Sequence, residues 1–333
     1  MASKIWEKKA VTLPDGRVVT ASCPIIVSAS RATDIPAFFS KWFENRFRAG
    51  YMRWTNPFNA NQVDYISFCD TRVFVFWSKN PRPLIPFLSE IDAKGINFYL
   101  QFTVNDYERE NLEPNVPPLS ARIDTFRELV EKVGRKRVIW RFDPFLLTDR
   151  IDVPCLLDKV AGVAEKLRPL TDRLVFSFAD IAAYAKVRNN LQREGIIFRE
   201  FTPDLMMKVA EGLQALNKGW GFRLATCAES QDLGEFGIEH NRCIDDNLLV
   251  ELFKNDQKLM QFLGYEVDLY GNPSFPYKKD KGQRKECGCI VSKDIGMYDT
   301  CRHHCIYCYA NVSRQTVEKN LLKFRDDAES LLP

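Results

Sequence analysis

Three cysteines near the end of the chain, Cys301, Cys305 and Cys308, have a spacing that could place three thiolates around one metal centre. The segment "TCRHHCIYC" that contains them also carries two histidines. Zinc would need a fourth ligand, which His303 or His304 could supply. A [4Fe–4S] cluster could bind the three thiolates and leave one iron open for a substrate or cofactor. The spacing predicts a metal site and leaves both metals open.

Four other cysteines could form a second metal site. Cys227 and Cys243 lie near the ends of two predicted strands, and Cys287 and Cys289 form a C-x-C pair shortly before the first motif. If the four thiols meet, they fit either structural zinc or an auxiliary iron–sulfur cluster. Alternatively, Cys227 is a small buried hydrophobic residue and the C-x-C pair only lines the first site. No role is predicted for the three cysteines that stand apart in the sequence, Cys23, Cys69 and Cys155.

Short apolar runs rich in β-branched and aromatic residues predict parallel strands that are buried on both faces. The predicted strands are residues 24–30, 51–56, 73–78, 96–103, 137–143, 173–178 and 221–227, with a weaker one at 237–244. Amphipathic helices are predicted at residues 35–48, 120–134, 154–168, 203–218 and 246–263, and a closing helix begins near Ser313.

Eight strand–helix units over about 250 residues predict a (β/α)8 TIM-like barrel in residues 1–265. A doubly wound open sheet is the alternative, because strand order does not follow from one sequence. Residues 266–333 begin with a long connection rich in Gly, Pro and charge, and then predict one more strand–loop–helix unit. We expect this C-terminal segment to pack on the barrel and to carry the metal-binding loop.

In such a barrel, polar side chains at the carboxyl ends of the strands would line the active site. Four charged residues at these positions are candidates for catalysis or substrate contact, namely Arg31, Lys79, Arg141 and Asp143. Three further residues are candidates for cofactor binding, namely Asp34, Asn56 and Asn80. Each of these could instead be a helix cap or one side of a salt bridge at a strand end.

The segment "DTCRHHCIYCYA" resembles the cluster motif of radical S-adenosylmethionine (SAM) enzymes, in the version found in their spore-photolyase-like branch. The resemblance implies that Cys301, Cys305 and Cys308 hold a [4Fe–4S] cluster and that Tyr307 lies beside the adenine of SAM. It also implies cleavage of SAM to methionine and a 5′-deoxyadenosyl radical that abstracts hydrogen from an unknown substrate. An electron donor such as flavodoxin or ferredoxin would be a partner. In those enzymes the motif usually belongs to the first βα unit, so its late position here implies a circularly permuted barrel.

Nearly the whole sequence is similar to a family called domain of unknown function 1848. The similarity runs through "SASRATDIPAF", "FWSKNP", "WRFDPF" and "CGCIVSKDIGMYDTC". It implies a barrel-like N-terminal part followed by the cluster motif. The alternative prediction is a zinc-stabilised barrel that acts as a binding module or as a metal-assisted hydrolase.

Composition and charge indicate a cytoplasmic globular protein. The 333 residues are 45% hydrophobic and 27% charged, and no apolar run approaches the ~20 residues that cross a bilayer. The N-terminal sequence lacks a signal-peptide pattern, and ten cysteines in a reducing compartment favour metal or redox chemistry over disulfides. A net charge of +3 and a single basic run at residues 277–285 are poor evidence for a nucleic-acid partner. We therefore expect a small-molecule or otherwise unknown substrate and no membrane association.

Overall fold

The computed structural model describes residues 5–56 and 59–332 as a mixed α/β fold. Its strands are β1 (Glu7–Thr12), β2 (Val18–Cys23), β3 (Ile26–Ala29), β4 (Tyr51–Asn56), β5 (Asn59–Ser67), β6 (Val73–Ser78), β7 (Asn97–Thr103), β8 (Val138–Phe145), β9 (Leu147–Thr148), β10 (Arg173–Phe178), β11 (Phe198–Arg199), β12 (Arg223–Cys227), β13 (Ile238–Asn241), β14 (Glu266–Val267), β15 (Pro273–Ser274) and β16 (Lys293–Asp294).

The helices alternate with these strands. They are α1 (Ile35–Phe38), α2 (Ser40–Ala49), α3 (Leu88–Ala93), α4 (Leu119–Val133), α5 (Val153–Leu167), α6 (Ala185–Arg193), α7 (Pro203–Trp220), α8 (Asp246–Phe253), α9 (Gln257–Leu263) and α10 (Arg314–Leu321), with 3-10 turns at Arg82–Phe87, Arg135–Arg137 and Gly234–Phe236. Over the two described ranges, every helix is too short or too polar to span a lipid bilayer.

The main sheet has eight parallel strands in the order β13-β12-β10-β8-β7-β6-β3-β16. Every strand that the sequence predicts contributes to this sheet, except the one at residues 51–56. Strands β3, β6, β7 and β10 are almost fully buried, as their continuous apolar sequences require. The parallel arrangement is therefore confirmed.

A second, four-stranded sheet has the order β1-β2-β5-β4. β1 pairs with β2 and β4 with β5 in antiparallel fashion, while β2 runs parallel to β5. The predicted strand at residues 51–56 belongs to this sheet as β4. Its last four side chains are only partly buried, because β4 lies at the edge of the small sheet.

The predicted closed (β/α)8 barrel is wrong. Within residues 5–56 and 59–332, no strand ladder joins β13 to β16, and these two strands end the main sheet on opposite sides. The strand at residues 51–56, predicted as one of the eight barrel strands, belongs to the small sheet. Its place in the count of eight is taken by β16, a two-residue strand of the C-terminal segment that pairs with β3. The fold is a large parallel sheet with helices on both faces.

The two faces of the main sheet have separate cores. On one face, Phe43 of α2 packs edge-on against Phe74 and Phe76 of β6, with ring centroids 5.2 and 5.4 Å apart. On the other face, Val75 belongs to a buried cluster with Leu249 of α8 and residues of α9. Successive side chains of β6 thus point to opposite sides, as in any strand.

Two predicted helices are each divided in the structure. The helix at residues 35–48 is α1 followed by α2, and the helix at residues 246–263 is α8 followed by α9, which Asp256 caps. The closing helix begins where it was predicted, because the side chain of Ser313 accepts a hydrogen bond from the N–H of Thr316.

Candidate metal centres

The C-terminal segment is fixed to β3 by Asp294. Its Oδ2 accepts hydrogen bonds from Ser28 Oγ at 2.7 Å and from the backbone N–H of Arg31 at 2.9 Å. Gly296 then passes so close to Ser30 that a Cβ on residue 296 would lie 1.7 Å from Ser30 Oγ. Because only glycine allows this approach, the chain can enter the next loop tight against the end of β3.

Backbone hydrogen bonds hold that next loop, residues 301–308, which we call the three-cysteine loop. The N–H of Ile306 donates to the carbonyl of Leu112 at 2.9 Å, and the N–H of Asn115 donates to the carbonyl of His303 at 3.2 Å. All three cysteines of the loop are partly exposed. The loop is therefore anchored by its backbone to the segment after β7 and leaves its cysteines partly accessible.

The buried His303 is engaged in hydrogen bonds through both ring nitrogens. Its Nε2 lies 2.7 Å from Oδ2 of Asp34, and its Nδ1 lies 3.4 Å from the carbonyl oxygen of Asn115. Asp34, a predicted cofactor contact, also accepts a hydrogen bond from Ser78 Oγ at 2.7 Å. A metal bound by His303 would have to break one of these contacts. His304 has a left-handed backbone with φ 53° and is partly exposed.

A buried polar network lies beside the three-cysteine loop. The Nζ of Lys79 donates to Oε1 of Glu113 at 2.7 Å and to the hydroxyl of Tyr307 at 3.1 Å. Oε1 of Glu113 also accepts a hydrogen bond from the side-chain amide of Asn105 at 3.0 Å and a short one from the Tyr307 hydroxyl. Tyr307 is only 6% exposed, so an adenine base stacked on its ring would require a rearrangement.

Cations around Glu113 decide its ionisation. Burial raises the pKa of Glu113, but Lys79 and Arg122 outweigh burial and lower this pKa to about 2. Burial raises the pKa of the Cys305 thiol well above its usual range, and Lys79 only partly opposes this effect. The network is therefore charged, while the neighbouring thiol would need a bound cation to become a thiolate.

The cysteines predicted to form a second site lie together in the structure, and we call them the four-cysteine group. The sulfurs of Cys227 and Cys243 are 3.3 Å apart. Cys289 lies near both Cys243 and Cys287, close enough for their thiols to influence its pKa. The four sulfurs thus form a row, with Cys243 and Cys289 buried in its middle.

Arg141 lies at the four-cysteine group and is paired with Asp143. Its Nη1 donates to the sulfur of Cys243 at 3.0 Å, and its Nη2 donates to Oδ2 of Asp143 at 2.7 Å. Arg141 is 3% exposed, and Asp143 also accepts a short hydrogen bond from Ser177. These two candidates for catalysis therefore form a salt bridge between a buried guanidinium, which also contacts a thiol, and a partly exposed carboxylate.

Asn105 connects the surroundings of the two cysteine groups. Its side-chain amide donates to the hydroxyl of Tyr307 at 3.0 Å and to the carbonyl oxygen of Asp143 at 3.3 Å. Its Oδ1 accepts from the N–H of Asp143 at 2.9 Å. Since Asp143 holds Arg141, which contacts Cys243, an unbroken series of hydrogen bonds and covalent bonds joins the two groups.

The remaining predicted residues are dispersed. Arg31 lies near Cys289 of the four-cysteine group, with its guanidinium 5.3 Å from the ring centroid of Trp77. Asn80 follows β6 and is partly exposed. Asn56 lies outside the main sheet, because its strand, β4, belongs to the small sheet. Its side-chain amide donates to Gln62.

The spacing of the sulfurs distinguishes one metal ion from a cluster. In a tetrahedral zinc site with bonds of about 2.3 Å, the ligand sulfurs lie ~3.8 Å apart. In the part of the chain that the structure describes, no three ligand atoms of either cysteine group lie within 4.8 Å of one another. A four-iron cluster is wider than a single ion, so its cysteines stand farther apart. Neither cysteine group, as it stands in the described residues, has the compact spacing of a tetrahedral zinc site.

Sequence reasoning missed Glu113, the acid at the centre of the polar network. It belongs to the acid-rich segment "YERENLEPNVPP", in which no pattern separates a buried acid from a solvated one. The sequence position of Asn105 was more informative, since Asn105 lies two residues after the predicted strand at residues 96–103. Its position predicts a polar group at the sheet edge but not the partners that it bridges.

A model of the family described as domain of unknown function (DUF1848) matches residues 26–310. The chain belongs to the DUF1848 family. The DUF1848 match covers all eight strands of the main sheet and both cysteine groups. A search of curated proteins finds no match.

Solved structures that match this DUF1848 protein include a candidate alpha-L-fucosidase from Bacteroides thetaiotaomicron. The match has 9% sequence identity and covers 58% of this chain and 84% of that chain, with a TM-score of 0.25. A TM-score this low carries no argument about fold or function.

Proposed function

We propose that this DUF1848 protein is a radical SAM enzyme whose Cys301, Cys305 and Cys308 hold a [4Fe–4S] cluster. The reduced cluster would supply the electron that cleaves SAM to methionine and a 5′-deoxyadenosyl radical, which takes hydrogen from a substrate. The proposal is carried by the C-x3-C-x2-C loop, which lies at the carboxyl ends of a parallel sheet, beside the charged network of Lys79 and Glu113. A flavodoxin- or ferredoxin-type protein would be the electron donor.

The charged network beside the loop supports binding of an amino-acid zwitterion, such as the methionine part of SAM. Oε2 of Glu113 makes no hydrogen bond among the described residues, and its ion-pair partner, Nη1 of Arg122, lies 3.6 Å away. This oxygen can therefore accept a hydrogen bond from an ammonium group that reaches it. Lys79 donates two hydrogen bonds within the network, and a third proton is left for a carboxylate. Both ends of the zwitterion thus have a partner of opposite charge.

We also propose that the four-cysteine group holds a second metal centre, either an auxiliary iron–sulfur cluster or zinc. Two side-chain donors support this role. Arg141 and Asn241 donate to the sulfur of Cys243 at 3.0 and 3.3 Å. Donors of this kind stabilise a thiolate and orient it toward a metal.

Metal counts on protein purified without oxygen test the proposal. Cys305→Ala should lose about four irons and four sulfides per chain relative to the wild type. Cys155→Ala is the matched control, since Cys155 lies on α5 apart from both groups, and it should keep the full count. Cys243→Ala should lose only the metal of the second centre.

A wild-type protein that contains zinc and no iron would contradict the radical SAM proposal. That result would favour the alternative, a zinc-containing binding module or metal-assisted hydrolase. Equal iron counts in Cys305→Ala and Cys155→Ala would contradict the assignment of the cluster to this loop.

A further inference from the structure

Two cysteines without a role in the sequence analysis, Cys23 and Cys69, lie beside Asp70 in a compact group. Their sulfurs are 3.5 Å apart. The two sulfurs and a carboxylate oxygen of Asp70 all lie within 4.8 Å of one another. Across residues 5–56 and 59–332, no other set of three Cys, His, Asp or Glu ligand atoms is this compact. We call these residues the compact trio.

The fold of the small sheet brings the compact trio together. Cys23 is the last residue of β2, and the other two members follow β5. β2 and β5 are parallel neighbours with Ser22 opposite Ile66, so their carboxyl ends meet. The next segments of the chain enter β3 and β6 of the main sheet. The compact trio therefore lies at the amino ends of these strands, whereas the three-cysteine loop lies at their carboxyl ends.

We propose that Cys23, Cys69 and Asp70 bind a single thiophilic divalent cation such as zinc, with water as the fourth ligand. Bonds of about 2.3 Å to sulfur and ~2.0–2.2 Å to a carboxylate oxygen place tetrahedral ligands roughly 3.5–3.8 Å apart. The observed sulfur separation of 3.5 Å is about 0.3 Å shorter than the ~3.8 Å expected for two sulfurs, so a small rotation of either side chain completes this geometry. The compact trio is thus suited to one ion, in contrast to the wider cysteine groups at the other edge.

The residues around the compact trio hold its ligands in place and leave one thiol accessible to a metal ion from solvent. Cys23 is 2% exposed and is fixed by its strand, while Cys69 is exposed. The hydroxyl of Thr71 donates to the carbonyl of Pro24 at 2.9 Å, which holds the two ligand-bearing segments together. One buried and one exposed thiol give a preformed site with an entry path.

Lys9 forms an ion pair with the carboxylate of Asp70, one of the proposed metal ligands. The Nζ of Lys9 lies 2.6 and 2.5 Å from the two oxygens of Asp70. An ammonium and a divalent cation repel each other, so Lys9 must move when metal binds. Lys9 therefore weakens the site, and its removal is expected to tighten metal binding.

Zinc binding to the reduced, iron-free full-length chain tests this site independently of the proposed function. Equilibrium dialysis should show one zinc fewer per chain for Cys69→Ser than for the wild type. Cys155→Ser, which removes a partly exposed thiol outside the compact trio, should bind as much as the wild type. Equal zinc counts for these two variants would overturn the proposal, as would a Cys23–Cys69 pair that stays unliganded in saturating zinc.

A second variant decides the matter if Cys69→Ser does not fold. Lys9→Ala changes an exposed side chain and keeps all three ligands. It should lower the zinc dissociation constant of this site roughly two- to fivefold, the scale of one exposed ion pair. An unchanged or weaker zinc affinity in Lys9→Ala would overturn the proposal. Production of 5′-deoxyadenosine should be the same in Lys9→Ala as in the wild type.

Discussion

The three-cysteine loop and the four-cysteine group lie near the same edge of the main sheet but have different surroundings. In the four-cysteine group, Cys243 and Cys289 are buried, and Arg141 donates directly to a thiol. In the loop, all three cysteines are partly exposed. Beside the loop lies a charged network in which one oxygen of Glu113 makes no hydrogen bond among the described residues and has Arg122 Nη1 3.6 Å away.

This difference separates a structural environment from a reactive one. In the four-cysteine group, Arg141 and Asn241 already donate to the sulfur of Cys243, which suits a thiolate held at a structural metal centre more than a site for a substrate. The network at the loop has an oxygen of Glu113 that could still accept a hydrogen bond from a ligand. A buried polar atom without a hydrogen bond costs free energy until such a ligand binds. We therefore expect substitutions near the four-cysteine group to act mainly on stability and substitutions near the loop to act also on ligand binding.

The largest expected effect on stability comes from Arg141→Ala. Arg141 is 3% exposed, and its removal leaves the Asp143 carboxylate without its cation. Breaking a fully buried pair costs about 3–5 kcal/mol in the free energy of unfolding, and we expect the lower end of this range because the Asp143 side chain is 26% exposed. Chemical denaturation of the metal-free wild-type and Arg141→Ala proteins measures this loss in the free energy of unfolding.

Arg314→Ala is the control for that experiment, because Arg314 forms an exposed pair with Glu318 on α10 and should matter little. A stable Arg141→Ala protein with impaired SAM binding would instead place Arg141 in the cofactor pocket. The distinction between the two groups would then be lost.

Acid should destabilise the network at the loop through Glu113. Its folded pKa of about 2 lies below the ordinary 4.5, so the unfolded chain binds a proton first as the pH falls. The stabilisation is complete above about pH 5 and disappears as the pH falls through 2, and it amounts to roughly 3 kcal/mol. Glu113→Gln should abolish this part of the pH dependence, as measured by denaturation between pH 2 and 7.

The control for the acid experiment is Glu318→Gln, which removes an exposed carboxylate and should leave the pH dependence nearly unchanged. If Glu113→Gln and the wild type lose stability in parallel on acidification, Glu113 is not held ionised by Lys79 and Arg122. The zwitterion pocket would then lack its anion.

An intermediate effect is expected where the C-terminal segment docks on β3. Gly296→Ala would place a Cβ 1.7 Å from Ser30 Oγ and should cost about 1–3 kcal/mol of stability. Ser30→Gly should restore much of the loss in the double variant. Gly162→Ala, with nothing within 4 Å of the new Cβ, should not destabilise. Equal stability of Gly296→Ala and Gly162→Ala would show that the segment does not approach β3 this closely.

The smallest effect should come from Tyr307→Phe, which removes one hydroxyl from the network. Losing its hydrogen bonds to Glu113 and Lys79 should cost about 1 kcal/mol, while the iron count stays at the wild-type level. A large loss of iron in Tyr307→Phe would mean that the network supports the cluster itself and is not only a ligand pocket.

The sequence predicts the strands of the main sheet well, because burial on both faces produces unbroken apolar runs such as residues 73–78. It also predicts a short strand before the three-cysteine loop, and β16 is a strand at that place, although its two residues, Lys293 and Asp294, are polar and its bounds follow only from pairing with β3. The run at residues 51–56 resembles the others in composition, yet its pairing with β5 assigns it to another sheet. The barrel prediction is wrong because β13 and β16, which end the main sheet, do not pair in the described part of the chain, and strand order does not follow from one sequence.

For the cysteines, adjacency of strand ends was the useful signal. Cys227 and Cys243 follow neighbouring strands, and this made their meeting predictable. Cys23 and Cys69 are 46 residues apart and meet only through the small sheet, which the sequence did not reveal. The partners of Glu113 also depend on tertiary packing that no local pattern reports.

The central claim is tested most directly by the fate of SAM. Anaerobically reconstituted wild-type protein, given SAM and a strong reductant, should release 5′-deoxyadenosine even without substrate. Cys155→Ala should match it, and Cys305→Ala should produce at least about a hundredfold less, since without the cluster no electron reaches the sulfonium. No 5′-deoxyadenosine from wild-type protein with a full complement of iron and sulfide would contradict the radical SAM proposal.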